Sequence, residues 1–572
     1  MKSILLRAGL VLGACASAVS ALAYLPEPSD SQASAATKNL YYHIASRAGQ
    51  TDNTMIEGQH LGGINEVLYP AIYGTFDIND HVIDGKVPGL VGSRYDAVDK
   101  EQNLYVLDPA VCTAINQKLI AAWNEHQAII HVTAVPPNPW NFQSGRDPYR
   151  TTDNISELFW SAPTSDARTS FWNSMAIIAD ALEEFQNAGI PVIFRPFAEF
   201  NMTNKYYYAH QNAADFVQLW KDVRDYCVNT RGLHNLLFCW EVWALNRNTA
   251  TADIAPWYPG DGYVDIVGGA YYFRPDIQYI DPVTGEFSFA NSDPEDQGIF
   301  DFLVAQNRPF GAPQWGLNYS PTGGGGYGDH DFTRKFMDFA PQLAFAYYWM
   351  KQYAVENQSH GTEFVNDHRV ATADDLPGFS SLTFTSIATA DGWVLESSET
   401  SNAGGSLDAT ATGNSALKTG DNASKQQFKS ILSFNTSALP DDATITGAAL
   451  VLTRGSQSGN PTATLGSLQA DIKTGSFGPL ADLEIGDFEA GYTYANVASL
   501  AVPANDGETA IGALDVNGLS AIKKNGKTQF RLYFSTDDDN DGVGDNIGWY
   551  SGEAAVPENR PQLTVNYKVL TP

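Results

Sequence analysis

The sequence predicts a (β/α)8 TIM barrel followed by an all-β, jelly-roll-like sandwich. The first observation is a set of continuous apolar runs that end in abrupt polar tips, such as Val192-Ile-Phe-Arg-Pro-Phe-Ala-Glu-Phe-Asn201. Runs of this kind are what parallel strands buried on both faces look like. The second is that eight such runs alternate with amphipathic stretches between residue 24 and about residue 375, the order of a closed α/β barrel. The third is a change of composition beyond Phe379, where Ser, Thr, Gly, Ala and Asn dominate and the strands become short and alternating. That pattern belongs to antiparallel sandwiches.

Taken in order, Lys2 and Arg7 precede the apolar run Ala8 to Ala23, which ends in Ala21-Leu22-Ala23. This reads as a secretory signal with a small-residue cleavage site, and the protein is expected to be secreted, extracellular or periplasmic. A rival reading takes Leu12-Gly13-Ala14-Cys15 as a lipoprotein box that would anchor the chain to a membrane through Cys15. Secretion is preferred because the apolar run continues well past Cys15. No later stretch is long and apolar enough to span a bilayer as a helix. The expected divisions are 1–23 signal peptide, 24–375 barrel and 376–572 sandwich.

The barrel strands are expected at Thr54–Gly58, Gly89–Arg94, Ala128–Thr133, Val192–Phe197, Asn235–Trp240, Val264–Gly269, Pro309–Gln314 and Leu343–Trp349. Helices are expected at Ala110–His126, Arg168–Ala188 and Asn212–Val228. The stretch Arg274–Asp296 is polar and aromatic with no clear period and reads as a long loop. In the sandwich, strands are expected around Ala448–Thr453, Gln529–Phe534 and Gln562–Tyr567.

Charge narrows the partners. The 572 residues carry a formal charge of −31, with a pI near 4.5. Such a surface repels nucleic acid and anionic membranes. Charged residues are 17% and aromatics 12% of the chain, which suits a monomeric protein whose flat rings stack on a polysaccharide substrate; a large aromatic core is the bland alternative. Cleavage at Ala23 would leave Cys112, Cys227 and Cys239, and an odd count argues against a full disulfide framework.

Catalytic groups of such barrels sit at the C-terminal ends of the strands. Glu199 ends the fourth run and is the candidate general acid, with Arg195 a buried cation on the same strand and Asn201 just beyond. Glu241 ends the fifth run between Trp240 and Trp243, which are expected as sugar platforms; it reads as a second catalytic carboxylate or as the counter-ion of Arg195. His131 on the third run, Trp140, Tyr206, Tyr271 and Trp315 complete the expected substrate contacts. His131 has the common alternative of a satisfied core histidine.

The first two thirds of the chain resemble glycoside hydrolase family 26. The resemblance runs through Gly58-Gln-His60, Asn138-Pro139, Arg195-Pro-Phe-Ala-Glu-Phe-Asn201 and Tyr258-Pro-Gly-Asp-Gly-Tyr-Val-Asp-Ile-Val-Gly268. It implies a retaining endo-β-glycanase, mostly acting on mannan, in some members on β-1,3-xylan or mixed-linkage glucan, with Glu199 as acid/base. Two positions depart from the family. Ala198 stands where family mannanases usually carry His. Gln314 stands where the resemblance expects the nucleophilic Glu of the seventh strand, and an amide forms no glycosyl-enzyme intermediate. Glu241, Asp261, Asp329 and Asp331 are the candidate replacements. Two other readings follow from Gln314. A lyase acting on a uronate polymer such as alginate would gain from losing a charge that repels the substrate, and a glycan-binding protein would need no nucleophile.

The C-terminal part resembles carbohydrate-binding modules of family 96 through Ser430–Pro440, Ala443–Leu450 and Glu558–Tyr567; a spacer domain is the alternative. Within it, Asp537-Asp-Asp539-Asn-Asp541-Gly-Val-Gly-Asp545 places acidic side chains at alternating positions before glycines, the first part of a loop that wraps a hard cation. A structural Ca2+ held by Asp537, Asp539, Asp541 and Asp545 is expected, although Gly548 stands where the bidentate Glu of an EF-hand would fall.

Overall fold

The computed structural model describes the chain except for residues 1–26, 48–53, 96, 100–103, 141–152, 203–205, 210, 246–252, 274–279, 282, 290–297, 318–327, 481 and 570–572. The expected signal peptide with Cys15, and most of Arg274–Asp296, lie outside the described residues. The chain divides into two compact units, one ending at Leu376 and the other beginning at Pro377.

The first unit is a closed barrel of eight parallel strands. They are β1 (Met55–His60), β2 (Leu90–Arg94), β3 (Ile129–Thr133), β4 (Val192–Arg195), β5 (Leu236–Trp243), β6 (Ile266–Phe273), β7 (Phe310–Leu317) and β8 (Leu343–Tyr348). Each pairs with its neighbour in sequence, and β1 closes the ring by pairing with both β2 and β8. The strands are buried along almost their whole length, because the barrel interior covers one face and the helices the other. All eight lie where the apolar runs place them, and β5, β6 and β7 run three to four residues further at their C-terminal ends, to Trp243, Phe273 and Leu317.

The longer helices start where sequence punctuation says they should. Asp108 caps α1 (Pro109–His126), Ser165 caps α2 (Asp166–Asn187) and Asn212 caps α3 (Ala213–Asp225), each side chain accepting a backbone N–H of the first turn. Such caps satisfy orphan donors that the helix itself cannot. Later come the short α4 (Ile299–Val304) and α5 (His330–Phe339). The 13 residues of α3 are followed by a wider turn over Tyr226–Thr230, so the expected helix to Val228 ends in a π-turn.

The second unit is antiparallel throughout. A curled sheet, ordered by pairs such as Thr444–Ser458 with Gln562–Lys568 and Gln427–Asn435 with Lys527–Phe534, encloses an apolar core that includes Leu432, Phe434, Leu450, Phe530, Leu532 and Trp549. A smaller cluster of Val394, Ile431, Phe477, Leu483 and Phe488 covers part of the other face. Cys112, Cys227 and Cys239 are buried free thiols.

Candidate active site

The C-terminal ends of the barrel strands carry the polar groups, because side chains alternate between barrel interior and helix layer along each strand. On β4 this alternation turns Arg195 inward, and it sits in register with Thr133 of β3. Its Nε and Nη2 donate to Thr133 Oγ1 at 3.0 and 2.8 Å, and its Nη1 donates to Gln314 Oε1 at 3.1 Å. Arg195 also forms an ion pair with Glu241 of β5. The guanidinium, fully enclosed, has its pKa lowered chiefly by burial, with Glu199 pulling the other way.

Glu199 lies in the turn that leaves β4, 4% exposed, with a φ of 53°. Left-handed backbone is uncommon for a residue with a β-carbon. The turn is stapled to β5. Glu199 N–H donates to Glu241 Oε1 at 3.1 Å, Asn201 Nδ2 donates to Trp243 O at 3.0 Å, and Trp243 N–H donates to Asn201 Oδ1 at 2.8 Å. Tyr208 Oη donates to Ala198 O at 3.0 Å.

Gln314 of β7 faces the same space. Arg195 fixes its carbonyl, so its amide nitrogen points at Glu199 Oε1 (3.1 Å) and Tyr272 Oη (2.9 Å) and donates to both. Tyr272 stacks on Trp243 with centroids 5.5 Å apart and planes 12° apart. Burial, and then the charge of Glu199, hold the Tyr272 phenol well above its usual pKa.

Beneath this layer is a second one. His60, Gly92 and His131 stand in register on β1, β2 and β3. Tyr347 of β8 comes within 4.5 Å of the His131 ring and 5.7 Å of the His60 ring, centroid to centroid. Both imidazoles are held well below the usual histidine pKa, His131 by burial and then Arg195, His60 by burial and then Arg94. They are therefore neutral near pH 7. Neither nitrogen of His131 has a hydrogen-bond partner among the described residues, nor has Tyr347 Oη or His60 Nε2. His131 is buried at the centre of the barrel, but it is not a satisfied core histidine.

Of the expected site residues, the structure gathers Glu199, Glu241, Gln314, Arg195, Asn201 and Trp243 around one mouth, with His131 below. Two expected sugar contacts are corrected. Tyr271 and Trp315 are fully buried and face the helix layer, where they pack on Phe273 and Phe336. The reason is strand alternation: Tyr271 is in register with Trp315, one residue on from Ala270 and Gln314, so both point outward. Trp240 is corrected for the same reason; it packs on Phe200 and Tyr258 behind Glu241. Tyr206 stacks on Tyr208 at 5.2 Å, and Trp140 meets Tyr207 edge-on at 5.9 Å. Asp261 precedes β6, at the opposite end of the barrel, and accepts from Tyr258 Oη. Asp329 caps α5 and Asp331 pairs with Arg334, both exposed. None of these three joins the mouth. Sequence reasoning missed Tyr347, and of the pair Tyr271-Tyr272 it favoured the outward ring; counting two residues on from Ala270, the β6 partner of Gln314, identifies Tyr272.

In the second unit, one carboxylate oxygen each of Asp539, Asp541 and Asp545 lies within 4.8 Å of the others. Asp537 is not in that group; its Oδ1 accepts from Asp538 N–H at 3.1 Å. Asp545 N–H donates to Asp421 Oδ1 at 2.7 Å, and burial pushes the Asp421 carboxyl up to about 6, with Asp539 and Asp545 adding to it.

Residues 29–307 match the profile of glycosyl hydrolase family 26. A mannan endo-1,4-beta-mannosidase A and B of Caldalkalibacillus mannanilyticus is 25% identical over 361 residues, covering 61% of this chain and 63% of that protein, so the match spans under two thirds of that relative's length. A mannan endo-1,4-beta-mannosidase of Bacillus subtilis is 27% identical over 304 residues, 50% of this chain and 78% of that protein. A solved Bacillus subtilis mannanase is 22% identical and covers 60% of this chain and 95% of its own, with a TM-score of 0.47. The profile match begins near the N-terminal end of the barrel unit and includes the turn after β4 that carries Glu199, so the barrel unit is similar to the glycoside hydrolase domains of family 26.

Proposed function

We propose that the protein is a secreted, endo-acting hydrolase of a β-linked polysaccharide of the mannan or β-1,3-xylan type. Glu199 is the proton donor to the leaving oxygen. The observation that carries this reading is the placement of Glu199: at the C-terminal mouth of β4, nearly enclosed and held by two side-chain staples to β5. The named activities of the relatives favour mannan. Gln314 cannot form an ester with the sugar, and Glu241 has one oxygen on Arg195 and the other on Glu199 N–H.

Mass spectrometry of products from mannan, β-1,3-xylan, mixed-linkage glucan and alginate tests the reading. Fragments that have gained water are expected, and Glu199→Gln should lose about 10²–10⁴ of the rate, the usual worth of a general acid. A second reading, elimination on a uronate polymer, draws on the donor face of Gln314 and on the unpartnered His131 and Tyr347 hydrogen-bonding atoms. Fragments lacking the added water would replace hydrolysis by it.

For the second unit the reading is a glycan-binding module with a structural Ca2+ at Asp539, Asp541 and Asp545. Their oxygen-only donor set, close spacing and the raised Asp421 carboxyl beside them suit a hard divalent cation.

A further inference from the structure

The turn that carries Glu199 is in a backbone conformation that its own residue type resists, and its identified side-chain staples come from β5, from Asn201 within the turn and from Tyr208. Glu199 has a φ of 53°, in the region where a β-carbon crowds the following carbonyl. Such a conformation persists only where the surroundings over-determine it. Here Glu241 Oε1 takes the Glu199 N–H at 3.1 Å, and two residues on Asn201 clamps both backbone groups of Trp243, at 3.0 and 2.8 Å. The Glu241 carboxylate also balances Arg195, and Arg195 in turn fixes the amide of Gln314 that touches Glu199. One fully buried carboxylate thus sets the acid from two directions: through its backbone, and through the Arg195–Gln314 chain to its side chain.

We propose that Glu241 is a positioning residue for Glu199, a buried latch on the acid-bearing turn, and does not act as the second carboxylate of the reaction. The inference rests on Glu199 being the proton donor. Glu241 is fully buried, with one oxygen on a backbone N–H and the other paired with a guanidinium, so it offers no accessible oxygen to a sugar. Its effect passes through the orientation of Glu199, where a displacement of about 1 Å can cost about 10²-fold in rate. A positioning defect lowers kcat and leaves substrate binding intact.

The test compares Glu241→Gln, Glu241→Leu, Asn201→Ala and Glu199→Gln in the full chain, by kcat and KM on soluble β-1,4-mannan and by the crystal structure of Glu241→Leu. Glu241→Gln keeps the acceptor for Glu199 N–H and should retain kcat within about fivefold, whereas Glu241→Leu should lose about 10²-fold in kcat at unchanged KM. Asn201→Ala, which opens the other staple without exposing a buried charge, should lose about tenfold in the same sense. If Glu241→Leu does not fold, Asn201→Ala carries the test. In the crystal Glu199 should leave the left-handed region or turn its side chain from Gln314. Glu241→Gln as inactive as Glu199→Gln would overturn the proposal, since the charge itself would then be chemical. So would wild-type kcat in folded Glu241→Leu or in Asn201→Ala, or an unmoved Glu199 in the crystal, which needs no substrate. A Glu199→Gln variant that keeps full activity would instead remove the proton-donor reading on which the latch depends.

Discussion

At the scale of single residues, the barrel mouth is decided by a few side chains with no slack. Gly92 is the plainest case. A β-carbon there would lie 2.0 Å from His131 O and 2.8 Å from Tyr347 Oη. Only glycine lets the Tyr347 hydroxyl rise between the two histidines. Gly92→Ala must push a backbone carbonyl of β3, and overpacking of this kind costs about 1–3 kcal/mol or more. A lowered melting temperature is expected. An unchanged thermal melt would show that the strands yield there without cost. Gln314 is the other single-residue decision. Its amide distinguishes carbonyl from N–H, and Arg195 determines which end meets Glu199.

At the scale of elements, strand alternation explains which expectations held. The apolar runs located all eight barrel strands, since burial on both faces writes itself directly into composition. They did not say which residue of Tyr271-Tyr272 or of Gln314-Trp315 points inward, because both faces are apolar and the alternation is silent. Glu57 of β1 shows the same ambiguity with a charge: it stands in a wholly buried strand. Burial, and then the neighbouring charge of Glu356, push its carboxyl up to about 8. The folded state therefore holds a proton that the unfolded chain releases above about pH 4.3. The sign follows from linkage: stability contributed at Glu57 is greatest below the unfolded value and falls as pH rises toward 8. Glu57→Gln removes that fall. Its melting temperature relative to wild type should rise steadily from pH 5 to pH 8, and a gap independent of pH would refute a protonated Glu57.

At the scale of the whole molecule, two compact units with separate cores are expected to melt separately. The proposed calcium would act on one of them. A ligand at 100 times its Kd adds about 2.7 kcal/mol to the state that binds it, which is several degrees for a unit of this size. In the full chain, Ca2+ should raise the transition of the unit beginning at Pro377 and leave the barrel transition in place, and Asp541→Asn should abolish the shift. No shift with Ca2+ in the wild type would end the calcium reading. The charge of −31 belongs to this scale as well. It disfavours polyanions at long range, while Arg195 and the donor face of Gln314 act only within the cleft, so a uronate polymer would show a steep salt dependence of binding that mannan would not.

The sequence by itself determined the two architectures, the positions of the eight strands and the place of Glu199 at the end of the fourth. These are properties of local pattern: apolar runs, caps such as Asp108 and Ser165, and a polar tip at a strand end. It also placed an amide where a family carboxylate is expected. Only the tertiary structure decided what that amide touches, that Glu241 holds the Glu199 turn and balances Arg195, and that Tyr271 and Trp315 face away from the cleft. Those outcomes depend on register between strands distant in sequence, Gln314 lying 115 residues beyond Glu199. Register is set by how the ring of strands closes, and no local run of residues encodes it.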